Sequence, residues 1–196
     1  MNMQKITCDD CGQSVPGYDV IHYGSPDEGF QKLCTQCFNA AVALRSGVDG
    51  FENIKLEPIG ITDCAGELHQ FYFQTRLLGN MVTIDGFELL DGNPEGYKFQ
   101  VIGEPEDDLF VLLGQLVQKI RRTLSIKYLV RDERHGLQIK DMAVCGRIES
   151  SYPEVERVPV MIIDGREISW DKFGQMLMSY EGWQFRLEIC DRSDEL

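Results

Sequence analysis

The chain has 196 residues and a mass of 22.3 kDa, with 19 basic against 32 acidic side chains and a formal charge of −13. Hydrophobic residues at 43% and charged residues at 26% exclude a disordered chain and suffice for a buried core. A pI near 4.6 argues against a general nucleic-acid binder, and no apolar run approaches the ~20 residues of a membrane span.

The opening Met1-Asn2-Met3-Gln4-Lys5 has no apolar stretch behind it and shows no secretory signal. The closing Ser193-Asp194-Glu195-Leu196 looks like an endoplasmic-reticulum retention tail, an address that goes unread without such a signal. Seven cysteines, an odd number, fit a reducing cytoplasm better than a disulfide framework.

Four of the cysteines form two C-x-x-C pairs, Cys8/Cys11 and Cys34/Cys37, with 22 residues between the pairs. Zinc takes four thiolates in a tetrahedron, and a two-residue spacer lets both sulfurs of a pair turn toward one point. A thioredoxin-like redox site is disfavoured because two pairs are present and no βαβ context surrounds either, and an iron site is the remaining alternative. Gly12 suits a tight knuckle. Gln13 to Tyr23 reads as short extended segments broken at Pro16-Gly17 and Gly24-Ser25-Pro26. Phe38 to Arg45 reads as a helix with Thr35 as N-cap and Gly47 as terminator. His22 is placed on a hairpin strand without a metal role, and Asp9 and Asp10 as solvated neighbours of the cysteines. The order of knuckle, hairpin and helix resembles a treble-clef zinc finger over the first fifty residues. That resemblance implies a structural zinc held by Cys8, Cys11, Cys34 and Cys37, and no activity.

Extended runs follow at Phe51–Ile61, Glu67–Leu77, Met81–Leu89 and Tyr97–Ile102, with turns at Gly79-Asn80, Asp85-Gly86 and Asp91-Gly92-Asn93-Pro94. They predict a small antiparallel sheet. Glu104 to Asp108 opens a long helix whose stripe is Leu109, Leu112, Leu113, Leu116, Val117, Ile120 and Leu124. Packed across the sheet, it gives an α+β unit. Between Lys119 and Arg147 stand eight basic and three acidic side chains, a local excess of five positive charges in a chain otherwise at −18. Such a band binds an anionic partner or, the reading preferred here, pairs with the protein's own acids.

Arg131 to Gly136 reads as a polar connection. Leu137–Ile148 alternates, Val158–Ile163 is a buried strand, and Asp164-Gly165 signals a hairpin into Arg166-Glu167-Ile168. Ser169 caps a helix from Trp170 to Ser179, and Trp183–Ile189 alternates as a final strand. Ser169 lacks the surroundings of a nucleophile elbow. Trp170 and Trp183 are read as core or rim packing rather than a stacking platform for a ligand. The stretch from Ile163 to Trp183, with Leu33-Cys34 to Phe38-Asn39, resembles a bacterial protein family without a settled activity, which implies architecture and not function.

The whole is an α+β chain in three parts: a four-cysteine zinc-finger domain at 1–50, an antiparallel sheet with a long helix at 51–131, and C-terminal strands with one short helix at 132–196. The functional reading is a zinc-stabilised interaction or regulatory module with a protein partner, no membrane and no catalytic residues assigned. The alternative is a hydrolase or transferase drawing on Cys64, His69, His135, Asp164 and Glu181. A Cys64–His69 dyad would need the Ala65-Gly66 turn to bring the two together. Nucleic-acid binding through 119–147 ranks third, because no interleaved aromatics support base stacking. Oligomeric state is not legible.

Overall fold

The computed structural model describes residues 5–27, 29–150 and 158–193; the two chain ends read above for targeting, Met1–Gln4 and residues 194–196, lie outside them. The chain is α+β, built from small antiparallel sheets and, among the described residues, three α-helices.

Strands β1 (Lys5–Thr7) and β2 (Ser14–Pro16) form a first hairpin, and β3 (Val20–Ser25) and β4 (Gly29–Cys34) a second. Helix α1 (Thr35–Ser46) follows directly. Its N-cap is Cys34, one residue before the expected Thr35, whose hydroxyl instead donates to Asp19 Oδ1. Gly47 ends the helix in the left-handed conformation, φ 69°, which its missing Cβ makes inexpensive.

The central sheet runs β5 (Ile59–Thr62), β6 (Leu68–Leu78), β7 (Met81–Leu90) and β8 (Asn93–Gly103), each antiparallel to the next. Helix α2 (Leu109–Leu124) lays Leu109, Leu112, Leu116, Ile120 and Leu124 onto Phe71, Phe73, Ile84, Phe99 and Val101, the main core. Asp108 caps it by accepting the Phe110 N–H at 2.8 Å. Three expectations need correction here. Phe51–Ile61 is a strand only from Ile59; before that, Phe51, Ile54 and Leu56 pack against the core from irregular chain. Asp85-Gly86 is no turn: β7 runs straight through it. Asp85 is buried against Arg76, and Gly86 lies under α2, where an added Cβ would stand 3.3 Å from both Leu116 and Phe73. Close helix approach, rather than a reversal, selects this glycine. Asn93-Pro94 likewise belongs to β8, the turn being confined to Asp91-Gly92.

The last part holds β9 (Leu129–Asp132), β10 (Gly136–Ile139), β11 (Arg147–Ser150), β12 (Pro159–Ile163), β13 (Arg166–Ser169) and α3 (Trp170–Leu177). The polar stretch Arg131–Gly136 is the bend of the β9–β10 hairpin. The alternating Leu137–Ile148 is interrupted, with Asp141 and Met142 at positive φ. Ile139, Ile163, Ile168 and Met176 make a separate small core. Asp164-Gly165 forms the expected hairpin turn, and Ser169 caps α3 by accepting from the Lys172 N–H. The expected final strand is absent: Trp183–Ile189 carries neither helix nor ladder. No helix among the described residues is long and apolar enough to cross a membrane.

Candidate metal centre

The first hairpin is a knuckle. The Cys8 N–H donates to Gln13 O and the Gly12 N–H to Cys8 O, curling Cys8 and Cys11 toward one side. The second pair comes from where β4 becomes α1, so that Cys34 caps the helix and Cys37 lies in its first turn. Asp9 closes the gap between the two: its N–H donates to Lys32 O and its carboxylate accepts the Lys32 N–H, 2.6 Å away. The four sulfurs lie within 4.8 Å of one another, with Cys11 and Cys34 Sγ 3.9 Å apart. His22, exposed on β3 and paired with Lys32 in the ladder, stays outside the group.

The thiols differ in acidity. Burial works against ionising Cys8, but the N–H groups of Cys34, Cys11 and Asp10 outweigh it and bring the thiol down to about 6. The Cys34 N–H reaches Cys8 Sγ at 3.2 Å. Burial pushes both Cys34 and Cys37 up; at Cys34 the Cys37 groups work against it and the Cys8 and Cys11 thiols add to it, and at Cys37 Asp10 and then the other three thiols add to it. One thiolate is thus readily formed, and its presence opposes the next. A cation at the centre reverses that opposition, which is the chemistry of a four-thiolate metal site.

A second group of ligand-type side chains, Asp63, Glu67 and His69, also gathers within 4.8 Å at the turn between β5 and β6. Here a protein cation is already in place. Lys127 Nζ stands 2.7 Å from Asp63 Oδ2, and the Asp63 side chain is fully buried. Asp63 Oδ1 accepts the N–H groups of Ala65 and Glu67. The ring of His69 is held between Asp63 (3.3 Å) and Glu88 (2.7 Å). Glu88 reaches inward because the β7–β8 ladder shifts register between Phe87 and Glu88, and its other oxygen takes the Tyr97 N–H. Lys127, led by its bond to Asp63, holds that carboxyl well below the usual range.

The other candidates take separate places. Cys64 is exposed and lines a shallow cleft of about 430 Å³ with Asp63, Arg121 and Ser125, while His69 turns to its two carboxylates, so the structure forms no Cys64–His69 dyad. His135 is exposed and bonded to Asp132. Asp164 accepts the N–H groups of Tyr128 and Leu129. Glu181 directly follows the last helical turn. In the basic band, Lys127 and Arg147 pair with Asp63 and Glu149, and Lys119 donates to the carbonyls of Arg192 and Ser193. Trp170 and Trp183 are 48% and 66% exposed, at the rim rather than in a core.

Three influential residues escaped the sequence reading. Asn39, buried on α1, donates to Thr75 O and accepts the Leu77 N–H, pairing the open edge of β6 and seating the cysteine unit on the sheet. Asn39 stood inside the Leu33–Asn39 motif, and a polar residue among apolar helix positions was the available signal. Lys127 and Glu88 gave none, since their partners lie far away in sequence.

Three families match the chain. Residues 7–49 match Domain of unknown function (DUF7685), residues 52–125 Domain of unknown function (DUF7686), and residues 128–194 Domain of unknown function (DUF7713). No curated protein and no solved structure matches.

Proposed function

We propose that this chain is a cytoplasmic, non-catalytic interaction protein whose N-terminal unit is folded around a structural zinc ion. The convergence of four sulfurs from the knuckle and the helix start carries the reading. Cys8, Cys11, Cys34 and Cys37 would hold the ion, which would supply the positive charge that four neighbouring thiolates require. Four protein ligands complete a tetrahedral shell and leave no position for a reacting water. The cysteine unit has a small core of its own, Leu33, Phe38 and Val42 with Leu77 of the sheet, too slight to hold a unit of this size unaided. Of the other polar candidates, Ser169 and Asp164 bind backbone N–H groups, and His69 joins a closed ion network.

Elemental analysis of freshly reduced protein tests the metal. The expected result is about one zinc per chain, with amide protection over residues 5–49 lost on chelation. A ratio near zero, or iron in place of zinc, overturns it. Pull-down from native lysate with wild type and Cys34→Ser tests the interaction. Recovery of a partner by wild type is expected, and equal background recovery from both overturns that half of the reading.

A further inference from the structure

After Gly182 the chain crosses the surface with its apolar residues outward. Trp183, Phe185, Leu187 and Ile189 are 66%, 90%, 73% and 72% exposed. They alternate with Gln184, Arg186, Glu188 and Cys190, a period of two that places all four on one face of any strand this segment forms. Among the described residues, no backbone hydrogen bond joins 184–190 to another segment. The segment is nonetheless anchored at both ends. The Trp183 N–H donates to Tyr180 O, and the Tyr180 hydroxyl to Ile139 O. At the far end Arg192 binds buried Asp85 (2.8 Å) and Phe99 O (3.1 Å), while Lys119 takes the carbonyls of Arg192 and Ser193. A strap pinned at both ends loses less freedom on pairing than a loose tail.

We infer that this strap is a homodimer interface, in which residues 183–191 of two copies pair antiparallel about a two-fold axis at Leu187. The reading deepens the interaction function proposed above by naming a second copy as partner, and it is independent of the metal. Charge selects the register. With the axis at Leu187, Arg186 faces the second copy's Glu188 and Glu188 faces its Arg186, while Phe185 meets Ile189 and Leu187 meets Leu187. With the axis moved to Arg186, two arginines oppose each other and Glu188 faces only Gln184. Opposite charges across a ladder stabilise a strand pair and like charges destabilise it. Within one chain Arg186 and Glu188 already touch at 3.1 Å, but both are exposed, so that pair contributes little and is free to exchange.

In such a ladder the four apolar side chains of each copy stand on one face, where Phe185 and Ile189, and the two Leu187 side chains, cover part of one another across the strands, and the backbone groups of 184–190 gain partners. Two-fold, self-complementary contact is the commonest way for copies of one chain to associate.

Sedimentation equilibrium of the full zinc-loaded chain, from about 1 to 100 µM, is the test. A reversible dimer is expected, with amide exchange across 184–190 slowing as concentration rises. Arg186→Glu alone and Glu188→Arg alone each weaken it about tenfold or more, and the double exchange restores it. Both side chains are exposed, so these variants leave the fold intact. A monomer throughout the range overturns the inference, as does a dimer indifferent to the single charge changes. A wild-type monomer that still captures a protein from lysate overturns the second copy while leaving the interaction reading standing.

Discussion

Two clusters of metal-ligand side chains stand in this molecule, both tightly gathered and with opposite electrostatics. In both, ligand atoms gather within 4.8 Å. At the knuckle, the groups acting on the sulfurs are backbone N–H groups, Asp10 and the other thiols, so that charge on one sulfur opposes charge on the next. At Asp63, Glu67 and His69 the Lys127 ammonium already lies against the carboxylate. The second cluster is completed by a lysine of the same chain; the first, on the function proposed above, would take its cation from outside. Proximity of ligands is therefore half of a metal site; the other half is whether the protein has already answered their charge.

The largest effect expected from breaking this contrast is at the knuckle. Cys34→Ser removes a proposed ligand while leaving a residue well suited to the N-cap of α1. Zinc content should fall from about one to near zero, and residues 5–49 should lose amide protection while the core around Leu116 and Ile120 keeps it. Retained zinc with retained protection would place the metal elsewhere. In the second cluster, Lys127→Met leaves a fully buried carboxylate without its cation, and urea unfolding should show a loss of about 3 kcal/mol. Metal content should not change. A variant as stable as wild type would mean that His69 and the two backbone N–H groups suffice for Asp63, and the contrast would weaken.

Legibility in the sequence divides along the same line. The cysteine quartet was readable because its chemistry is local: two short spacers, a knuckle glycine and a helix start. The sheet and α2 were readable because alternation and the helical stripe each repeat over ten residues or more. Asp85-Gly86 misled because a turn dipeptide and a close-packed strand glycine look alike until the helix above is known. Trp183–Ile189 misled for a deeper reason. Alternation reports what a strand would bury, and says nothing of whether this chain offers a strand to bury it against. In the sequence Lys127 reads only as part of a basic band, because its carboxylate lies 64 positions earlier. Asn39 reads only as the end of a short motif, because the strand edge it pairs begins 36 positions later.

A smaller and graded effect separates the clusters by pH. Lys127, the backbone N–H groups of Glu67 and Ala65, and His69 favour the charged form of Asp63, and together they outweigh burial, so its folded value lies below the ordinary 3.8. A carboxyl depressed by folding binds protons more readily when unfolded. Its contribution is therefore fully present above the ordinary value and is lost as pH falls through the lower folded one. For Lys127, burial works against the charge, but Asp63 and Tyr97 more than restore it, and the folded value rises above 10.5. That contribution holds below the ordinary value and fades as pH climbs through the raised one. Because the pair needs both charges, the advantage of wild type over either Asp63→Asn or Lys127→Met should then shrink below about pH 4 and again above about pH 10. Urea midpoints measured across this range, with an unchanged denaturant slope, read both limbs. An acid limb as steep in Asp63→Asn as in wild type would assign the loss to other carboxylates, and with it the claim that Lys127 answers the charge at this cluster would fall.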